Sequence, residues 1–116
     1  MTPEEMKRRT RVFAVAVFGF IEELPKTVAG QTIARQLARS SSSVAANYRA
    51  AQRAQTRKEF IAKMHDAREE ADESQFWLEF SVDCRCAPIG DAQPLIQEAG
   101  ELTAILTQAI KTASCA

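Results

Sequence analysis

Between Gly30 and Pro88 the chain contains neither glycine nor proline. Within that span the stretch from Gln36 to Phe80 reads as two long amphipathic helices joined by one tight turn. The turn is marked by Thr56-Arg57-Lys58-Glu59, a Thr-x-x-Glu capping box whose hydroxyl and carboxylate satisfy amide donors that the first turn of a helix leaves free. Downstream, Phe60, Met64, Ala67, Ala71, Ser74, Leu78 and Ser81 recur at spacings of four and three, which places them on one stripe of a helix. Upstream, Gly30, Ala34, Leu37, Ser41, Val44, Tyr48 and Ala51 do the same, flanked by Ile33 and Ser40. The run Ser40 to Ser43 also admits a low-complexity linker, but the period continues on both sides and serine is only mildly unfavourable within a helix. The uninterrupted third segment predicts a helix of about 45 Å at 1.5 Å per residue, a length ordinary for a bundle.

The rest of the chain fits around this pair. With 116 residues, 46% of them apolar, and only four Gly and four Pro, it reads as one all-helical globular domain spanning 1–116 rather than a disordered segment. Such a chain buries roughly two-thirds of its unfolded surface. No run of uncharged apolar residues is long enough for a membrane span. Residues 12–21, VFAVAVFGFI, follow a basic cluster as a signal peptide core would, yet Glu22, Glu23, Leu24 and Pro25 close them instead of a small-residue cleavage site, which predicts a buried helix.

Helix one is expected over about 3–24, starting at Thr2 with Pro3 in its first turn and Glu4 and Glu5 favoured there by the helix dipole. Its stripe is Phe13, Val17, Phe20, Ile21 and Leu24. Helices two, three and four are expected over about 29–53, 57–86 and 92–113, with Asp91 as N-cap of the last and Leu95, Ala99, Leu102, Leu106, Ala109 and Ala113 as its seam. Short connections force antiparallel neighbours, so the expected fold is an all-α, up-down-up-down antiparallel four-helix bundle.

Gln36, Arg39, Ser43 and Asn47, then Lys58-Glu59-Phe60, then Glu70-x-x-Glu73 with Phe76-Trp77-Leu78-Glu79, and finally Glu101-Leu102-Thr103 and Ile110-Lys111-Thr112 resemble the small bacterial four-helix bundle proteins called 23S rRNA intervening-sequence proteins. The resemblance runs from about Arg11 to Ala113. It implies a cytoplasmic bundle that forms a ring-shaped pentamer and has no established biochemical activity, the family name referring to where some of its genes lie. A related bundle is an accessory protein of diversity-generating retroelements, which implies contact with reverse transcriptase and nucleic acid. Two departures stand out: many members carry Ile-Pro-Ser-Asn where this chain has Val44-Ala45-Ala46-Asn47, and the accessory relatives are basic whereas this chain is neutral.

The neutrality conceals an asymmetry. Residues 1–65 hold twelve Lys or Arg against five Asp or Glu, and residues 66–116 hold three against ten, a net charge of plus seven followed by minus seven. On helix two, Arg35, Arg39, Arg49 and Arg53 fall within about 80° of one another, opposite Leu37 and Val44. Such a stripe suits a phosphate backbone, since guanidinium groups bind phosphates bidentately and release counterions. It equally suits a solvated face, or a face that meets acidic residues of helix three in this or a neighbouring subunit. The zero net charge, with no glycine-rich loop or aromatic nucleic-acid motif beside the stripe, favours the second reading.

Chemistry has few candidates. A bundle di-metal centre needs two Glu-x-x-His units, and the chain has one histidine, His65, with Ala62 where the glutamate would stand. Asp66, Glu69, Glu70 and Glu73 therefore read as a solvated face. Cys84 and Cys86, two apart on the expected helix, point in different directions and read as reduced thiols, with Cys115 near the end. Serines 40–43 lack a histidine placed to act as base. The sequence predicts no enzyme, no cofactor and no metal site.

Self-association is expected instead. Phe76 and Phe80 lie roughly 160° from the core stripe of helix three, with Trp77 on the flank, and Val15 and Phe18 project away from the stripe of helix one. A single bundle buries one face of each helix, so these residues predict a patch that a partner covers. A second copy is the simplest partner, another protein is also compatible, and the resemblance prefers a pentameric ring to a dimer. The two readings that remain are an oligomeric interaction scaffold and a nucleic-acid-binding accessory protein.

Overall fold

The computed structural model describes residues 1–115. Four helices run α1 Pro3–Glu22, α2 Val28–Gln52, α3 Arg57–Asp83 and α4 Ile89–Cys115, and no strand occurs among the described residues. Each helix packs on its sequence neighbours, α4 closes back on α1, and in the diagonal pairs α1/α3 and α2/α4 no Cα of one helix comes within 8 Å of the other. The result is an antiparallel four-helix bundle measuring 46 × 20 × 20 Å. The α2–α3 and α3–α4 seams are the most extensive, and α1–α4 is the slightest.

Local chemistry sets the ends. Thr2 and Glu5 form a complete capping box on α1: the Thr2 hydroxyl accepts from the Glu5 amide at 3.1 Å and the Glu5 carboxylate accepts from the Thr2 amide at 2.9 Å. Those bonds hold the Glu5 carboxyl below its ordinary range. The box expected at Thr56 is only half made. Thr56 accepts from the Glu59 amide, but the Glu59 carboxylate accepts from Gln55, one residue before the cap.

Helix three stops at Asp83 rather than 86. The Arg85 amide donates to the Val82 carbonyl and the Cys86 amide to the Ser81 carbonyl, the paired bonds of a Schellman stop, with Arg85 at φ 59° in the left-handed position. A side chain there costs about 1–2 kcal/mol, against an entropy penalty of about 0.5–1 kcal/mol for glycine. Arg85→Gly is thus expected to stabilise the fold by about 0.5–1 kcal/mol, read as a raised urea midpoint with an unchanged slope. Helix four begins at Ile89, not at 92. The Pro88 carbonyl accepts from Asp91 and Ala92, so Asp91 sits inside the first turn instead of capping it.

The core is contributed by all four helices. Phe13 and Val17 of α1, Leu37 and Val44 of α2, Leu78 of α3, and Leu102 and Leu106 of α4 are fully buried. Large residues interleave with small ones: Ala67, Ala71, Ala99, Ser40, Ser41, Ser74 and Ser81 are just as deeply buried, which lets the helix backbones approach. The α4 stripe differs from the expected one. Ala92, Ile96 and Ile110 are buried beside Ala99, Leu102 and Leu106, whereas Leu95, Ala109 and Ala113 lie on the flanks. The serine run is helical throughout. Ser40 accepts from Ser74 across the α2–α3 seam at 2.9 Å, Ser42 bonds the Ala38 carbonyl, and the buried Ser41 hydroxyl has no partner.

Candidate interaction surfaces

Of the side chains expected to meet a partner, Val15, Phe18, Phe76 and Phe80 project outward while Trp77 packs partly against the core, and together they form two surfaces rather than one. On α3, Phe76 is 51% and Phe80 39% exposed. Their rings stack at 5.6 Å, and Trp77, half-buried, sets its indole edge-on to both at 4.9 and 5.8 Å. Four residues apart on one helix, the two phenylalanines are held side by side by the backbone, so the aromatic face is preformed. Around it Glu69, Asp72, Glu79 and Asp83 are all exposed, and no Lys or Arg occurs between Glu69 and Asp83.

On α1, Val15 is 73% and Phe18 44% exposed, and Val12 beside them is also exposed. One or two turns earlier on the same outer face stand Arg8 and Arg11. Because α1 and α3 are diagonal across the bundle, the basic-apolar face and the acidic-apolar face lie on opposite sides of it. Periodicity alone picks out the apolar members. Their opposite placement and opposite charge become visible only when the helices are assembled.

The four arginines of the expected stripe do not share one environment, and Arg53 is the C-cap of α2 rather than part of the helix. Arg39 is turned to α3, where it donates to Glu70 at 2.8 Å and also to Glu73. Burial raises the pKa of the Glu70 carboxyl, reinforced by the neighbouring Glu73 against the pull of Arg39. For Glu73 burial works upward too, but hydrogen bonding with Glu70 and Arg39 outweighs it and holds the group low. Arg49 turns the other way and lines a cleft between α1 and α2. Arg35 and Arg53 are exposed and make no ion pair among the described residues. The pairing of Arg39 with α3 was one of the alternatives the sequence left open.

A second polar tie had no local signal in the sequence. Arg9 sends a guanidinium fork across to α4, with Nε 2.7 Å and Nη2 2.7 Å from the two Glu98 oxygens and Nη2 2.8 Å from Glu101. Hydrogen bonding to Glu98 raises the guanidinium pKa further. Gln97, and then Arg9, lower the Glu101 pKa. This fork bridges the slightest seam of the bundle.

Among the described residues no three His, Cys, Asp or Glu side chains are grouped to hold a metal ion, and His65 lies against Arg68 at 2.9 Å on the exposed side of α3. Contrary to expectation, Cys84 and Cys86 do not share a helix: Cys84 caps α3 and Cys86 lies beyond it, both half-buried and unpaired. No helix among the described residues is long and apolar enough to cross a membrane.

A family model described as 23S rRNA-intervening sequence protein matches residues 4–108. A solved structure of a protein with unknown function from the S23 ribosomal protein family of Bacteroides thetaiotaomicron superposes with a TM-score of 0.86 at 28% identity, covering 96% of this chain and 99% of that one. No curated protein matches the chain.

Proposed function

Because the chain belongs to the 23S rRNA-intervening sequence protein family, we propose that it is the subunit of a homo-oligomeric ring, an interaction scaffold that holds partners rather than turning over a substrate. The observation that carries this reading is the complementarity of two outer faces on diagonally placed helices. Arg8, Arg11, Val12, Val15 and Phe18 present a basic-apolar face on α1, and Asp72, Phe76, Glu79, Phe80 and Asp83 an acidic-apolar face on α3.

A two-fold dimer sets a surface against its own copy. Through α3 that would oppose carboxylates, and through α1 guanidinium groups. Pairing α1 of one copy with α3 of the next instead joins apolar to apolar and plus to minus at every contact, and a repeated head-to-tail contact closes as a ring when the rotation from copy to copy divides a full turn. The family resemblance supplies the preferred number, five, and the cytoplasmic setting. The ring leaves the outer parts of α2 and α4 free for another protein.

Replacing Phe76 and Phe80 together with alanine is expected to weaken assembly at least about thirtyfold, the loss of an aromatic anchor of about 2 kcal/mol or more, while helicity stays largely intact. Sedimentation velocity reads the mass, and Trp77, the single tryptophan, reports on the same face through its emission. Head-to-tail pairing makes a sharper demand. A Phe76/Phe80 variant and a Val15/Phe18 variant, each monomeric alone, must form a one-to-one complex when mixed, because one intact α1 face then meets one intact α3 face. Failure of that complex, or a wild-type monomer at micromolar concentration, refutes the proposal. A salt-sensitive shift of labelled RNA, lost when Arg35, Arg39, Arg49 and Arg53 become glutamine, would support the nucleic-acid reading in its place.

A further inference from the structure

We propose that the cleft between α1 and α2 binds a compact phosphate-bearing molecule through Lys7, Arg11 and Arg49. The cleft has a volume of about 410 Å³ and is walled by these three side chains with Ala45 and Ala46. Lys7 and Arg11 stand one helical turn apart on α1, and Arg49 comes from α2. The alanines keep that wall small, so the cations border an open space rather than packing over it. A cavity of this size falls within the range of sites for small ligands, about 300–1,000 Å³.

The charge arrangement points to an anion. Where the fold brings Arg9 and Arg39 beside acidic side chains, each is neutralised by two glutamates. Around the cleft the one ion pair is Lys7 with Glu4 at 3.3 Å, and that glutamate is itself almost fully solvated. Arg11 and Arg49 make no ion pair among the described residues. Three like charges facing one cleft repel one another, and an oxyanion with two or more charges relieves that repulsion while accepting bidentate hydrogen bonds from each guanidinium.

The ligand is compact rather than a nucleic-acid strand. The three cations converge on one space from two helices, and the line along α2 is interrupted at Arg39 by Glu70 and Glu73. Arg11 also belongs to the α1 face used for assembly, whereas Arg49 lies on neither outer face, so substitution of Arg49 tests the cleft separately from the ring.

Isothermal titration of pyrophosphate into the assembled protein, at ionic strength held constant with chloride, tests this. Saturable binding at one site per chain is expected. Arg49→Gln should weaken it roughly tenfold, the loss of one charge-assisted contact, with the sedimentation coefficient unchanged. Arg35→Gln, on the outward face of the same helix, should leave it within about twofold. Tighter binding of ADP than of pyrophosphate identifies a nucleotide as the source of the phosphate, and equal binding identifies the phosphate group alone. No saturable binding at millimolar pyrophosphate, or equal losses in Arg35→Gln and Arg49→Gln, overturns the site. RNA that binds more tightly than pyrophosphate and is weakened equally by both substitutions also overturns it, by assigning the charge to a strand-tracking surface.

Discussion

Leu78→Ala is expected to lower stability by about 3–5 kcal/mol, the upper part of the range for truncating a buried leucine. Leu78 is fully buried near the C-terminal end of α3, the helix that shares both of the bundle's most extensive seams. The cost of such a truncation depends on how far the surroundings can close over the missing atoms. Here the neighbouring stripe positions on α3, Ala71, Ser74 and Ser81, are small and already buried, and the helices are close. Little further approach is available, so the cavity persists. A loss of this size is a large fraction of the total for a domain of this kind, about 5–15 kcal/mol. Urea unfolding at fixed protein concentration measures it. A midpoint shift equivalent to less than about 1.5 kcal/mol, the level of a tolerated volume-conserving swap, would mean that the core repacks and that this account of its rigidity is wrong.

Gly30→Ala is expected to destabilise the fold by about 1–3 kcal/mol, although replacing a mid-helix glycine by alanine ordinarily gains about 0.5–1 kcal/mol. The reversal comes from one carbonyl. A Cβ on Gly30 would overlap the Pro25 oxygen, well inside van der Waals contact, and come within 2.9 Å of the Pro25 carbonyl carbon. The atoms in the way are backbone, so no rotamer change relieves the clash. Either the α1–α2 connection lifts or the first turn of α2 shifts, and that turn also carries the Thr27 cap, whose hydroxyl accepts from the Gly30 amide at 3.1 Å. Gly19, with open space where its Cβ would be, is the internal control, and Gly19→Ala should follow the ordinary sign. Equal effects at the two positions would dispose of the steric explanation.

The bundle was readable before assembly because α2 and α3 each carry one unambiguous stripe in a stretch free of glycine and proline. Helix four was harder for a physical reason. Leu95 with Ile96, Ile105 with Leu106, and Ala109 with Ile110 are adjacent apolar pairs, so a 100° rotation fits nearly as well as the true one, and only packing against the neighbouring helices selects Ile96 and Ile110. The end of α3 was misplaced because an arginine occupies the left-handed position where glycine usually announces a stop. Outward aromatics were legible from their angle to the stripe. Arg9 with Glu98 and Glu101, and Lys7 and Arg11 with Arg49, were not, since each set joins separate helices and leaves no spacing to detect.

The slight α1–α4 seam bears on motion. Helix one is fixed by its packing on α2, by the fork of Arg9 and by the Pro25 connection, while α2, α3 and α4 share the larger seams. Its detachment therefore disrupts less helix–helix packing than separating any other helix. Amide protons of α1 should exchange with solvent through a partial opening, ahead of those in the middle of α3, which wait for global unfolding. That opening also withdraws the face that a neighbouring subunit would grip. Association and opening then compete for the same helix, and slow exchange in α1 becomes a property of the assembled protein rather than of the isolated chain.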